Sequence, residues 1–112
     1  FAHCEKITNL NTISNWDVSN VTDMSYIFKN LTTLDLSKWN ISNVTNINSI
    51  FEYCQSLTSL NLNSWNTTQI TNMKNAFLNC DKLNSLGIDK WDTANVNTMA
   101  FLVKNPFTIL LI

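Results

Sequence analysis

The sequence predicts an α/β repeat fold: a right-handed solenoid with a parallel β-sheet on its concave side and short helices on its convex side. Three observations predict it. A nine-residue phrase is written four times, an alternating apolar stretch precedes each copy, and a helix-spaced apolar face follows it. The phrase reads WDVSNVTDM from Trp16, WNISNVTNI from Trp39, WNTTQITNM from Trp65 and WDTANVNTM from Trp91. Self-similarity at a fixed period marks architectures in which each unit buries its apolar face only against its neighbours.

The register is set by counting from each Trp. Five residues on stand Val21, Val44, Ile70 and Val96; eight on, Met24, Ile47, Met73 and Met99; twelve on, Phe28, Phe51, Phe77 and, departing from the pattern, Val103. The Trp-to-Trp steps are 23, 26 and 26, so the repeat is about 26 residues long. The short step arises because Phe28 lies three residues before Leu31, whereas Phe51 and Phe77 lie six before Leu57 and Leu83. The missing residues include the slot that Cys54 and Cys80 fill. The lead-in to Trp16 is one residue longer than the others, which places a bulge between Asn9 and Thr12. The repeats then run 7–30, 31–56, 57–82 and 83–108, with a fifth strand or cap starting at 109–112.

The first half of each repeat reads LTTLDL, LTSLNL or LNSLGI, where period-2 alternation argues for a short strand with one buried face. The buried set is Leu31, Leu34, Leu36; Leu57, Leu60, Leu62; and Leu83, Leu86, Ile88. The second half reads VTDMSYIF, VTNINSIF or ITNMKNAF, with apolar residues at i, i+3 and i+6 or i+7, the spacing of a helical face. Thr22, Thr45 and Thr71 stand where an N-cap belongs. A strand, crossover and parallel strand connect with a right-handed sense. Strands at about 4.8 Å and helices at wider spacing curve the stack toward the sheet. In this frame Trp16, Trp39, Trp65 and Trp91 form a structural ladder at one corner. The Asp or Asn that follows each of them (Asp17, Asn40, Asn66, Asp92) makes a side-chain-to-backbone turn. The rival reading of the ladder is a row of exposed indoles gripping a sugar.

Composition narrows the function classes. The chain has 112 residues, a formal net charge of -1 and 13% charged residues. Its seven Lys are scattered and it has no Arg, so no face gathers the positive charge that a nucleic-acid partner requires. Nineteen Asn accompany one Gly and one Pro, so Asn, Asp, Ser and Thr must supply the turns. No run of about 18 apolar residues exists, so nothing in the chain reads as membrane-spanning. Phe1 and the apolar ending Thr108–Ile112 read as a segment of a longer protein, with its anchor and cellular address in a part not present here.

The stretches LTTLDLSKWNISNVTNINSIFEYC (31–54) and LTSLNLNSWNTTQITNMKNAFLNC (57–80) resemble the BspA-type leucine-rich repeats of bacterial surface proteins. The variant they are most similar to is the Trp-Asp-x-Ser-x-Val-Thr-x-Met repeat of mycoplasma surface lipoproteins. The resemblance spans roughly 7–103 and implies a leucine-rich-repeat-like solenoid displayed extracellularly or on the cell surface. It also implies adhesion by protein binding to an unidentified host surface or extracellular-matrix protein. It brings no catalytic residues with it.

The side chains offer little chemistry of another kind. Cys4, Cys54 and Cys80 each stand three residues before a strand's first apolar residue. They read as a ladder of buried thiols, with a Cys54–Cys80 disulfide as the alternative; a repeat or more apart, and with one distant His3, they do not make a metal site. The eight acidic residues are spread over separate repeats, and Asp35 and Asp89 on the concave face have a whole repeat between them, so a two-carboxylate hydrolase is not assembled. No cofactor and no enzymatic activity is expected. Asn-x-Ser/Thr at Asn20, Asn30, Asn40, Asn43 and Asn66 is attributed to composition. The candidate binding face is the concave sheet, with Thr33, Asp35, Ser37, Ser59, Asn61, Asn63, Ser85, Gly87 and Asp89 outward. The alternative is a solvated face on a structural stalk or spacer. Strand edges at the solenoid ends also leave room for self-association.

Overall fold

The structure is a computed structural model that describes residues 11–28, 31 and 34–99. Expectations for His3, Cys4, Asn30, Thr33, Val103 and the 109–112 tail lie outside the described residues. The lead-in to the first Trp holds a 3-10 helix, Asn11–Asn15. Two three-residue strands, β1 (Ser59–Asn61) and β2 (Ser85–Gly87), pair in parallel with Leu60 opposite Leu86. The alternation of the sequence explains β1 directly, since Leu60 is buried while Ser59 and Asn61 are exposed.

A larger set of contacts joins successive copies in register. Single parallel bridges link Asp23 to Asn46, Asn46 to Asn72 and Asn72 to Thr98, all seven residues after a Trp. The next backbone amides continue the pattern. Met24, Tyr26 and Phe28 donate to the carbonyls of Asn46, Asn48 and Ile50 at 2.9, 3.0 and 2.9 Å. Ile47, Ser49, Phe51 and Tyr53 donate in turn to Asn72, Lys74, Ala76 and Leu78 at 2.9–3.0 Å.

The short helices expected after each Trp are absent among the described residues, where these segments are runs of tight turns. The physical cause is the backbone at two recurring positions. Tyr26, Ser49 and Asn75, ten residues after a Trp, have φ of 58°, 55° and 59°; Tyr53 and Asn79, fourteen after, have 63° and 61°. A left-handed residue halts an α-helix, and here one falls every few residues. It turns alternate amides out of the segment and toward the next copy. Thr45 and Thr71 are accordingly rungs and not helix caps: their amides donate to the carbonyls of Thr22 and Thr45, both at 2.8 Å.

The turns after the Trp residues are built by side chains. Ser19, Ser42, Thr68 and Ala94 donate their amides to the Oδ1 atoms of Asp17, Asn40, Asn66 and Asp92 at 2.9–3.1 Å. This is the Asx turn, which supplies a chain reversal without glycine.

The core is aromatic and stacked. Phe28, Phe51 and Phe77 lie ring on ring with centroids 5.4 Å apart at each step. Each also meets the following Trp: Phe28 with Trp39, Phe51 with Trp65, Phe77 with Trp91, at 5.5, 6.3 and 6.1 Å. Trp65 and Trp91 are parallel within 2° at 6.3 Å. A buried indole N–H needs an acceptor. Trp39, Trp65 and Trp91 donate Nε1–H to the carbonyls of Ile13, Leu36 and Leu62 at 2.8, 3.0 and 3.0 Å. Each acceptor lies three residues before the preceding Trp. Trp39 and Trp65 retain 4% and 3% exposure, against 48% for Trp16 in the first copy.

Replacing Trp65 with Ala should therefore cost about 3–5 kcal/mol, because it opens a cavity against Phe51 and Trp91. Trp16→Ala should cost less than half of that. Urea unfolding followed by far-ultraviolet circular dichroism measures both, and equal losses would contradict the burial argument.

Candidate functional site

The face carrying β1 and β2 forms an open depression of about 690 Å³. Its walls are Asp35 and Ser37, then Ser59, Asn61 and Asn63, then Ser85, Gly87 and Asp89. Those eight residues are brought together from three successive copies, while Thr33 lies outside the described residues. Leu34, Leu60 and Leu86 line the floor. Leu60 is buried, but Leu34 and Leu86 are only partly covered, so apolar surface shows between small polar side chains.

Several of its polar groups are held by hydrogen bonds to backbone amides. Asp35 Oδ1 accepts from the Ser37 amide at 3.0 Å and its hydroxyl at 2.7 Å. Asn61 Oδ1 accepts from the Asn63 amide at 3.1 Å, and Asn63 Oδ1 from the Lys90 amide at 3.3 Å. Gly87 makes this arrangement fit. A Cβ there would sit 2.6 Å from Asn61 Oδ1 and 3.0 Å from Asn63 Nδ2. The side-chain amides of Asn61 and Asn63 thus lean into the space that the missing side chain leaves on β2.

Donors from Ser37 hold the Asp35 carboxyl below the usual carboxylate range, first its hydroxyl and then its amide. Ser19 and Ser25 do the same for Asp17 and Asp23. The depression is therefore anionic at Asp35 above mildly acidic pH. Among the described residues, no aromatic ring and no Lys lines it. Among the described residues, no three His, Cys, Asp or Glu gather where a metal ion would sit.

The other candidates fall elsewhere. Trp39 and Trp65 are core residues, which removes the reading of them as exposed sugar-gripping rings. Cys54 and Cys80 are buried thiols with no disulfide between them. Cys80 Sγ–H donates to the Phe51 carbonyl at 3.1 Å, and Cys54 makes the equivalent, longer contact to Phe28 at 3.9 Å. Contact with the Cys54 thiol, together with burial, pushes the Cys80 thiol far above its usual value, so it stays protonated. Asn40 and Asn66 spend their side-chain oxygens on turns, and Asn43 donates to the Ser19 carbonyl at 2.8 Å. Sequence reasoning missed the exposed Tyr26 and Tyr53. The signal was there: the slot of Tyr26 holds Ser49 and Asn75 in the next two copies, and the slot of Tyr53 holds Asn79 in the next.

No described helix is long and apolar enough to cross a membrane. Taken together, fold and face define a protein of short sequence repeats hydrogen-bonded to one another in register. The chain belongs to the family described as Mycoplasma protein of unknown function, DUF285, whose pattern matches residues 1–108. Neither a curated protein nor a solved structure matches it.

The depressed carboxyls have a consequence for pH. A carboxyl lowered in the folded state adds stability above its unfolded value, 3.8 here, and loses it as pH falls through the lower folded value. Stability should therefore decline below about pH 4. Asn, which already fills equivalent turns at Asn40, Asn61 and Asn72, keeps the acceptor without titrating. Thermal melts of the triple variant Asp17→Asn, Asp23→Asn, Asp35→Asn should show a shallower acid limb than wild type; an unchanged limb would count against these bonds.

Proposed function

We propose that this chain is a non-enzymatic, surface-displayed repeat segment that mediates protein–protein contact, most directly adhesion to a host surface or extracellular-matrix protein. The proposal includes its architecture: a right-handed solenoid of the BspA-type leucine-rich-repeat class, with the depression on its concave side. It also includes an extracellular location, with an anchor supplied by another segment.

The observation that carries this reading is the depression itself, where three successive copies offer the same small polar side chains over partly uncovered leucines. A surface of this kind fits a polypeptide better than an anionic polymer, since Asp35 and Asp89 line it and no described Lys does. Membership in a Mycoplasma family is compatible with it. The face lacks the Trp, Tyr or Arg anchors that concentrate binding energy, so each copy contributes weakly. Useful affinity then comes from many copies engaging at once.

One observation favours a second reading, a structural stalk or spacer. Asp35, Asn61 and Asn63 direct their acceptors at the protein's own backbone, which is how a face meant only to be solvated would be finished.

The two readings separate in one experiment. The purified chain is tested for binding to host-cell surfaces and immobilised matrix proteins beside Ser59→Arg, Asn61→Arg, Ser85→Arg combined, with folding checked by circular dichroism. The adhesion reading expects wild type to bind and the triple variant to lose at least about tenfold in affinity. No binding by either would replace it with the spacer reading, and equal binding by both would move the contact off the concave face.

A further inference from the structure

We propose that Cys54 and Cys80 are a redox latch: oxidation joins their sulfurs in a disulfide that fastens the second copy to the third. The two residues hold one slot in successive copies, fifteen after Trp39 and Trp65. Their backbones are set alike, since Cys54 N–H closes a turn on the Phe51 carbonyl and Cys80 N–H on that of Phe77, at 3.2 and 3.3 Å. The copies are hydrogen-bonded on both sides of the slot, from Tyr53 to Leu78 at 2.9 Å and from Asn84 to Thr58 at 3.0 Å. Backbones bonded in this way lie about 4.7–4.9 Å apart, inside the span of about 4.4–6.8 Å between Cα atoms that a disulfide bridges.

The sulfurs converge. The Phe51 carbonyl accepts from the Cys54 amide and, at 3.1 Å, from Cys80 Sγ–H, so the third copy's sulfur reaches into the turn that Cys54 closes. The two thiols are in contact there, with 0% and 2% exposure. Joining them needs no change of register. Cys54 and Cys80 are 26 residues apart, and so are the partners Ser59 and Ser85 in β1 and β2. The latch therefore locks the alignment of the two strands that carry the depression, whether or not that depression binds a partner.

The oxidant is hydrogen peroxide, small enough to reach a buried pair. One sulfur attacks a peroxide oxygen, the O–O bond breaks, and the thiol proton leaves with the departing hydroxide as water, giving a sulfenic acid. The second sulfur displaces the sulfenic hydroxyl, which departs as water with the second thiol's proton. Two thiols and one peroxide thus become one disulfide and two waters. A soluble dithiol reverses the step, returning two electrons and two protons and becoming a cyclic disulfide. Burial and the neighbouring thiol hold Cys80 protonated, so both directions wait for local opening of these turns. The pair is a slow latch, unlike the low-pKa thiols of redox enzymes.

The test uses the full chain with Cys4→Ser, which leaves only this pair, treated with hydrogen peroxide and then alkylated. Trypsin cuts after Lys38, Lys74 and Lys82, so the bridge should appear as peptide 39–74 joined to 75–82, and dithiothreitol should part them. The bridged chain should melt about 10 °C above the reduced one, with unchanged circular dichroism, because the bridge closes a loop of one repeat. With Cys80→Ala added, peroxide should leave the melting temperature where it was. Thiols that stay reduced or proceed to sulfinic acid, bridges only between molecules, or a bridged chain that melts no higher than the reduced one would each overturn the proposal. Should the Cys80→Ala variant fail to fold, the peptide map and the two melts of Cys4→Ser decide alone.

Discussion

A buried indole N–H must find an oxygen, and in this molecule the oxygen belongs to the preceding copy. The bonds from Trp39, Trp65 and Trp91 to Ile13, Leu36 and Leu62 tie each copy to its neighbour at one fixed offset. The rest of the structure depends on that offset. It brings each Phe under the next Trp, stacks Phe28, Phe51 and Phe77 at 5.4 Å, and aligns the amides that bond from copy to copy. A shift by one residue would move the apolar set of every short strand to the other face. Most of this bonding spans 22 to 29 residues of sequence, so no copy carries its own stability.

The second constraint is how to turn a chain with one glycine. Asx turns after each Trp and again at Asp23, Asn46 and Asn72 supply most of the reversals. The left-handed positions supply the others, and Asn75 and Asn79 suit them because a short amide side chain tolerates positive φ. Tyr26 and Tyr53 in the same conformation are costlier residues for it. The excess of asparagine is thus conformational as well as polar. It sets where the chain folds back, and its amides bridge copies, as Asn43 and Asn95 do to the carbonyls of Ser19 and Thr68.

Much of this was legible from residue spacing, and the exceptions have physical causes. Period-2 alternation at 57–63 and 83–89 indicates which side chains share a face, and the depression gathers six of them beside Asp35 and Ser37. The Asx turns could be read because Asp or Asn follows all four Trp residues. The turn segments could not be read as such. Apolar residues at Met24 and Phe28, or at Ile47, Ile50 and Phe51, satisfy helical spacing equally well when the backbone alternates between right- and left-handed turns. Ser49, Asn75 and Asn79 carried the contrary signal, which Tyr26 and Tyr53 masked because aromatic residues rarely adopt positive φ. The close approach of Asn61 to Gly87 was also hidden, since it joins residues 26 apart.

The central claim, that the turn segments bond outward to the next copy and not inward as helices, is tested most directly by nuclear magnetic resonance. Scalar couplings across hydrogen bonds report which carbonyl each amide contacts. The structure predicts couplings from Ile47, Ser49 and Phe51 nitrogens to the carbonyl carbons of Asn72, Lys74 and Ala76. Couplings from those same amides to carbonyls four residues earlier, Asn43, Thr45 and Ile47, would instead mean a helix and would contradict the account.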